Sequence, residues 1–161
     1  MKIEHVAIWV RDIDKVCEFY RKYFGGVVHP IYRNPAKQFT SRFITFDDGA
    51  RLEIMHRPDI CVERNVGTVE MFHVKHAIAS VAMGCSHTGM TEHERVGHEV
   101  SQHLGFTHLS FSVGSKEEVD HLTQQMSSDG VFIVGQPRTT GDGYYESVVL
   151  DPEGNRIEIT I

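Results

Sequence analysis

The sequence has only three cysteines, Cys17, Cys61 and Cys85, which are widely spaced and form no CxxC pair. This usage is typical of a reduced protein, and we expect a cytoplasmic location. The sequence also lacks any apolar run close to the roughly 20 residues that a membrane helix needs. Nothing after Met1 resembles a signal peptide, because the chain enters a strand pattern at once. We therefore expect no membrane partner.

The sequence has fewer positive than negative side chains: 16 lysines and arginines and 22 aspartates and glutamates give a net charge of -6. That balance disfavours broad binding to nucleic acid or to an anionic membrane. The 161 residues are 40% hydrophobic, enough for one compact domain with a real core. The 11 histidines are the one compositional oddity.

The last residues of the chain alternate between apolar and polar side chains with the two-residue period of a half-buried strand. One side of this stretch carries Ile157, Ile159 and Ile161, and the other carries Arg156, Glu158 and Thr160. The stretch 51–55 repeats the pattern, with Leu52 and Ile54 opposite Arg51, Glu53 and Met55. Two matching strands, each with a central glutamate, predict a duplicated unit with a site on its symmetry axis.

Each half of the chain reads as strand, helix, strand, strand, strand. In the first half we predict strands at 3–10, 27–33, 39–46 and 51–56, and a helix that Asp12 begins and Gly25 ends. In the second half we predict strands at 106–113, 131–134, 144–150 and after the turn at 151–154, with a further turn at 135–137. A capping box at Ser115 and Glu118 opens the second helix, which ends at Gly130.

The predicted organisation is one domain made of a first module at 1–57, a connector at 58–103 and a second module at 104–161. The connector is unusually long for a compact domain, and we place two helices in it, at 69–82 and 91–102. His73 and His76, three residues apart, can share a helix face and bind a metal, although a polar surface arm is the favoured interpretation. His98, Glu99 and His103 lack the HExxH spacing, which excludes a zincin site.

The histidine near the middle of each first strand and the glutamate near the middle of each last strand are the candidate site. His5 and Glu53 are 48 positions apart and His108 and Glu158 are 50 apart, so the register is nearly the same in both modules. All four residues lie opposite the face that packs on the helix. If those faces form a trough, two imidazoles and two carboxylates converge there, a donor set that suits zinc, nickel, cobalt, iron or manganese. An octahedral shell leaves two positions for waters or a bidentate substrate.

Four segments carry a resemblance to a known family. They are His-Val-Ala-Ile near the start, Leu-Glu-Ile in the first module, Thr-His-Leu-Ser-Phe-Ser-Val, and Asp-Pro-Glu-Gly-Asn-Arg-Ile-Glu-Ile near the end. Together they resemble the vicinal oxygen chelate superfamily, and within it the glyoxalase I (lactoylglutathione lyase) enzymes. The resemblance implies an α+β fold in which two βαβββ modules form a cupped mixed sheet with helices on its outer face. It also implies a metal held by His5, Glu53, His108 and Glu158, and modules that pair either within one chain or between the two chains of a homodimer.

The implied chemistry is a proton shuttle. A metal that chelates two adjacent substrate oxygens stabilises an enediolate as the α-proton leaves a hemithioacetal of a 2-oxoaldehyde and a thiol. The resemblance assigns the shuttle to a glutamate ligand, for which we favour Glu158, with Glu53 as its pseudo-symmetric partner. A methylmalonyl-CoA-type epimerase and a non-catalytic binding protein of the bleomycin-resistance type are the alternatives. An iron extradiol dioxygenase leaves one glutamate unexplained.

Two weaker sets of candidates complete the sequence-based picture. Tyr144, Tyr145 and the loop 139–143 can form a lid over the trough, although an ordinary hairpin loop is the favoured interpretation. Arginines are candidates for holding a substrate carboxylate, since guanidinium binds it with two parallel hydrogen bonds. The set is Arg11, Arg33, Arg42, Arg51, Arg138 and Arg156.

Overall fold

The structure, a computed structural model, describes residues 1–60 and 105–161. Residues 1–58 and 102–161 form one compact unit that contains both predicted modules. The two helices predicted at 69–82 and 91–102 lie outside the described residues, as do His73 and His76. The boundaries of the three predicted segments remain a prediction.

The first module follows the predicted order closely. Its elements are β1 (His5–Trp9), α1 (Ile13–Phe24), β2 (Val27–Val28), β3 (Tyr32–Asn34), a 3-10 turn at Pro35–Lys37, β4 (Phe39–Thr45) and β5 (Arg51–His56). Helix α1 begins where the Asp12 side chain accepts a hydrogen bond from the backbone N–H of Lys15 at 3.0 Å. It ends at Gly25, whose left-handed φ of 64° favours glycine.

The second module repeats this plan. Its elements are β6 (His108–Ser112), α2 (Lys116–Ser128), β7 (Ile133–Thr139), β8 (Tyr145–Leu150) and β9 (Arg156–Thr160). The Ser115 hydroxyl accepts a hydrogen bond from the Glu118 backbone N–H at 3.2 Å, as expected for the first residue of a capping box. Within the described ranges, no helix combines the length and the apolar character needed to cross a membrane.

Each module forms one mixed sheet. The first sheet has the order β1-β5-β4-β2, with β3 also paired to β4, and the second has the order β6-β9-β8-β7. In both sheets the first strand of the module pairs in parallel with the last, and the remaining pairs are antiparallel. The α+β fold with two similar modules is thereby confirmed. Strands β1 and β6 are edge strands in the part of the chain that the structure describes.

Two predicted boundaries are wrong, and proline explains both. The strand predicted at 27–33 is split into β2 and β3 around Pro30, which has no N–H to donate to a ladder. The turn predicted at 135–137 instead lies inside β7. Strand β7 is an edge strand, where Pro137 is tolerated, and the ladder accommodates the segment through register shifts next to Gly135.

The helix-covered faces of both sheets share one hydrophobic core. Ile44 and Ile54 of the first sheet and Ile157 and Ile159 of the second are fully buried in the same cluster. Across the module boundary, the ring of Phe111 on β6 stacks on Phe24 of α1 with centroids 4.3 Å apart. The opposite face of each sheet, which we call its open face, is therefore turned away from this core.

Polar contacts along α1 reinforce the contact between the modules. The backbone N–H of Arg11 donates to Glu153 at 2.8 Å, just before the start of α1. Near the other end, Tyr23 donates to Asp129 at 2.9 Å. In between, Tyr20 donates to Asp151 at 3.3 Å, and burial raises the pKa of this carboxyl above its usual range.

Gly26 tests how tightly α1 is seated on its sheet. A Cβ added at Gly26 would lie 2.5 Å from Cγ2 of Ile44, a fully buried side chain of β4. We expect Gly26→Ala to lower the free energy of unfolding by about 1–3 kcal/mol, since overpacking displaces core side chains. Urea denaturation measures the change. Gly141→Ala is the control, because a Cβ there meets nothing within 4 Å; equal stability of the two variants would contradict the expectation.

Candidate metal centre

His5 and Glu53 lie side by side on the open face of the first sheet. Strands β1 and β5 pair in parallel, with His5 opposite Arg51 and Ala7 opposite Glu53. His5 and Glu53 are thus diagonal neighbours on one face, and Nε2 of His5 lies 3.9 Å from Oε2 of Glu53. The parallel pairing of the first and last strands brings together two residues that are far apart in sequence.

The second module repeats this arrangement on its own open face. His108 is opposite Arg156 and Ser110 is opposite Glu158 in the pairing of β6 with β9. Nε2 of His108 lies 3.4 Å from Oε2 of Glu158. The structure therefore brings the predicted residues together as two equivalent histidine–glutamate pairs.

Both histidines are oriented in the same way. The residue before each histidine contacts its other ring nitrogen: Glu4 hydrogen-bonds Nδ1 of His5, and Oγ1 of Thr107 lies 3.0 Å from Nδ1 of His108. Hydrogen bonds from His5 and from Arg51 lower the pKa of the Glu4 carboxyl below its usual range. In the tautomer that carries its hydrogen on Nδ1, each of these contacts holds the Nδ1–H and leaves the Nε2 lone pair as a ligand, the usual arrangement around a metal.

Each pair provides one imidazole nitrogen and one carboxylate, which is half of the ligand set that a divalent transition metal takes. The glutamates are well shielded, since both side chains are only 16% exposed. Within residues 1–60 and 105–161 of a single chain, however, no three ligand-type residues come close enough to hold an ion. The shared core lies on the helix-covered faces, so each pair lies on the sheet face opposite to it. The residues present fit a metal ion, with one imidazole and one carboxylate on each open face; we call each such pair a half-site.

The two half-sites differ in the groups around their glutamates. The Ser110 hydroxyl donates to Oε1 of Glu158 at 2.7 Å, whereas the equivalent position beside Glu53 is Ala7. On the neighbouring strand, Val148 lies opposite Glu158 and Phe43 lies opposite Glu53. Glu158 is therefore held by a hydroxyl that Glu53 lacks.

A third carboxyl group adjoins the second pair. Burial and then the negative charge of Glu158 raise the pKa of Glu146, while the nearby Arg138 opposes the change. Arg138 pairs with Glu146 at 3.1 Å. The second half-site is thus more polar than the first.

Sequence reasoning missed four residues of this site. Glu4 and Thr107 directly precede the two histidines, so the repeated "polar residue then histidine" was a usable signal. Ser110 follows His108 by two positions and shares its face, which the strand alternation also indicates. Glu146 lies on a different strand from Glu158, and only the folded sheet shows that the two are close.

Tyr145 does not form a lid, which was the less favoured interpretation of this segment. Its hydroxyl donates to Asp120 on α2 at 2.7 Å, and Lys116 lies over its ring at 5.1 Å, so it packs on the helix side of the sheet. Thr140 and Tyr144 are joined by a 2.8 Å backbone hydrogen bond that closes the loop between β7 and β8. The favoured interpretation of an ordinary hairpin loop agrees with these contacts.

Comparison with protein families agrees with this geometry. Residues 2–159 match the model of the glyoxalase/bleomycin resistance protein/dioxygenase superfamily. No curated protein matches the sequence.

Solved structures with the same fold include two glyoxalase I enzymes. Glyoxalase I from Zea mays is 17% identical with a TM-score of 0.63; the alignment covers 99% of this chain but only 44% of the maize chain. The trypanothione-dependent glyoxalase I from Leishmania major is 18% identical with a TM-score of 0.59, covering 99% of this chain and 86% of that one. A glyoxylase/bleomycin resistance protein/dioxygenase domain from Frankia sp. EAN1pec is 16% identical with a TM-score of 0.64, covering 100% and 97%. At these identities the likeness establishes the fold alone.

The contact between Glu4 and His5 is open to a direct test by metal titration. Replacing Glu4 with alanine removes the group that orients the imidazole, and we expect Zn²⁺ affinity to fall about 10–100-fold, the usual effect of losing such a partner. Competition with a chromogenic chelator measures the dissociation constant. Glu117→Ala is the control, since Glu117 is an exposed acidic residue on α2. An unchanged Zn²⁺ affinity in Glu4→Ala would show that Glu4 does not position a ligand.

Proposed function

Because the chain belongs to the glyoxalase/bleomycin resistance protein/dioxygenase superfamily, we propose that it is a metal-dependent isomerase or lyase of the glyoxalase I type. The observation that carries the proposal is the repeated histidine–glutamate pair, with Nε2–Oε2 separations of 3.9 and 3.4 Å on two open faces. Superfamily membership alone also covers proteins that bind ligands without catalysis. The paired ligands favour an enzyme.

The complete site forms between two copies of the chain. His5 and Glu53 of one copy meet His108 and Glu158 of the other, so that a homodimer has two equivalent sites. The edge strands β1 and β6, which carry the two histidines, are the natural point of contact, since an edge strand presents unpaired backbone groups. The packing within each chain supports this arrangement, because it directs the two half-sites outward.

The reaction is a proton transfer between adjacent carbons of a hemithioacetal formed by a 2-oxoaldehyde and a thiol. Held by His5, Glu53, His108 and Glu158, a divalent ion would supply Lewis-acid stabilisation of the negative charge that develops on the substrate oxygens. Glu158 accepts the proton from one carbon and returns it to the neighbouring carbon, acting as general base and then general acid. Glu53 faces it from the other half-site.

The hydrogen bond from Ser110 favours Glu158 for this role. A carboxylate that exchanges a proton with substrate has to return to the same position at each turnover. The 2.7 Å bond from the Ser110 hydroxyl gives Oε1 of Glu158 a fixed partner and leaves Oε2 directed at His108. Glu53 has Ala7 at the equivalent position.

Metal content and turnover of the purified protein test the function. We expect bound divalent metal and conversion of a methylglyoxal–thiol hemithioacetal, with turnover reduced about 100-fold or more in Glu158→Gln, because general acid–base catalysis is worth that much. Glu117→Gln on α2 is the control. Turnover of methylmalonyl-CoA in place of the hemithioacetal would identify the epimerase, and a metal-free protein without turnover would support a binding protein.

Mixed dimers test whether the sites lie between chains. His5→Ala and His108→Ala each disable both sites of their own homodimer. Co-expression of the two chains produces mixed dimers in which one site carries both substitutions and the other carries none. We expect about a quarter of wild-type turnover, since half of the dimers are mixed and each has one of two sites intact. If the co-expressed variants show no activity, each site lies within a single chain.

A further inference from the structure

Arg51 lies next to the first half-site and has no role in the proton transfer. Resting on the proposed function, we propose that Arg51 binds an anionic group of the substrate, a carboxylate a few bonds from the chelated oxygens. The substrate is then a molecule that chelates the metal ion through two adjacent oxygens and carries a negative charge a few bonds away.

The position of Arg51 is set by the parallel pairing of β1 and β5. Arg51 is directly opposite His5, and it precedes Glu53 by two residues on the same open face. Two residues along a strand span about 7 Å, which is within the reach of a guanidinium group. A substrate that is bound at His5 and Glu53 and extends along β5 therefore passes Arg51.

The guanidinium group of Arg51 is held in a fixed orientation. Its Cζ lies 4.1 Å from the centroid of the Phe43 ring on β4, and its Nη2 pairs with Glu4. Stacking fixes the plane of the guanidinium, and the ion pair fixes its rotation within that plane. An arginine that is already ordered loses little conformational freedom when an anion binds.

One hydrogen-bond donor of Arg51 has no acceptor among the described residues. Its Nε–H is buried and has no hydrogen-bond partner within residues 1–60 and 105–161. A buried donor without an acceptor is costly, and in native structures it usually has a functional explanation. The Arg51 side chain as a whole is 39% exposed, so a carboxylate can reach its terminal nitrogens and supply acceptor oxygens in the geometry that guanidinium prefers.

Charge also favours an anion at this point. The two glutamates that complete one site neutralise a divalent ion, and Glu4 is the carboxylate that opposes the charge of Arg51. Glu4 is 57% exposed, so water weakens its hold on the guanidinium. The second module repeats an arginine at the same register, since Arg156 is opposite His108. The composite site thus presents an arginine beside each histidine.

A matched pair of chelators tests the proposal independently of turnover. Both 3,4-dihydroxybenzoate and 3,4-dihydroxybenzamide offer two adjacent oxygens, and they differ in the charge of one group. With the protein saturated in Zn²⁺, we expect the benzoate to bind at least about tenfold more tightly than the amide, as measured by calorimetry. In Arg51→Gln that preference should fall to about one, and in Arg51→Lys it should be partly retained.

The preference between the two chelators separates Arg51 from the metal ligands. A change in Zn²⁺ affinity through Glu4 alters both dissociation constants and leaves their ratio unchanged. Arg33→Gln, at an exposed position on β3, is the control and should keep the wild-type ratio. Equal binding of the two chelators by wild type, or an unchanged ratio in Arg51→Gln, overturns the anion site and leaves the proposed function standing. Failure to bind Zn²⁺ overturns both.

Discussion

The parallel pairing of the first and last strand in each module is the constraint on which the site depends. Such a pairing needs a long crossover. One helix and three short strands supply it in the first module, and one helix and two strands supply it in the second. Its effect is to make His5 a neighbour of Glu53 and His108 a neighbour of Glu158. Without that register, neither imidazole meets a carboxylate. The ligand pairs are therefore a property of the topology as much as of the residues.

The packing of the two modules decides how the pairs can combine. Phe111 packs against the rings of Tyr20 and Phe24 on α1, and so joins the helix-covered faces of both sheets into one core. The same contact that stabilises the chain keeps its two half-sites apart. In the proposed homodimer the activity depends on assembly, since dilution of the subunits also removes the site.

Much of this architecture could be predicted from the sequence, because alternation and capping are local signals. The faces of β1, β5, β6 and β9 follow from the two-residue period, and Asp12, Gly25 and Ser115 mark helix ends as expected. The predictions that failed depend on how segments far apart in the sequence pack in the fold. Pro137 is accepted within β7 because that strand is at an edge, which the sequence does not reveal.

The four candidate ligands could be selected from the sequence, whereas their arrangement in space could not. His5, Glu53, His108 and Glu158 were identified from duplicated spacing, and the structure places them as two pairs. The separation of the pairs depends on which faces share the core. The asymmetry between Ser110 and Ala7 depends on strand register, and the position of Glu146 beside Glu158 depends on the pairing of β8 with β9.

The capping contact that Glu153 makes with α1 bears on how the duplicated halves are related. Its carboxylate accepts from the backbone N–H of Arg11 at 2.8 Å and of Asp12 at 3.3 Å, so the turn before β9 completes the entry to a helix of the other half. The repeats are thus interdependent. Cutting the chain between them removes the Glu153 contacts before α1 and uncovers the rings of Tyr20 and Phe24, on which Phe111 packs. We therefore expect the two copies of the module to unfold together, as a single cooperative unit.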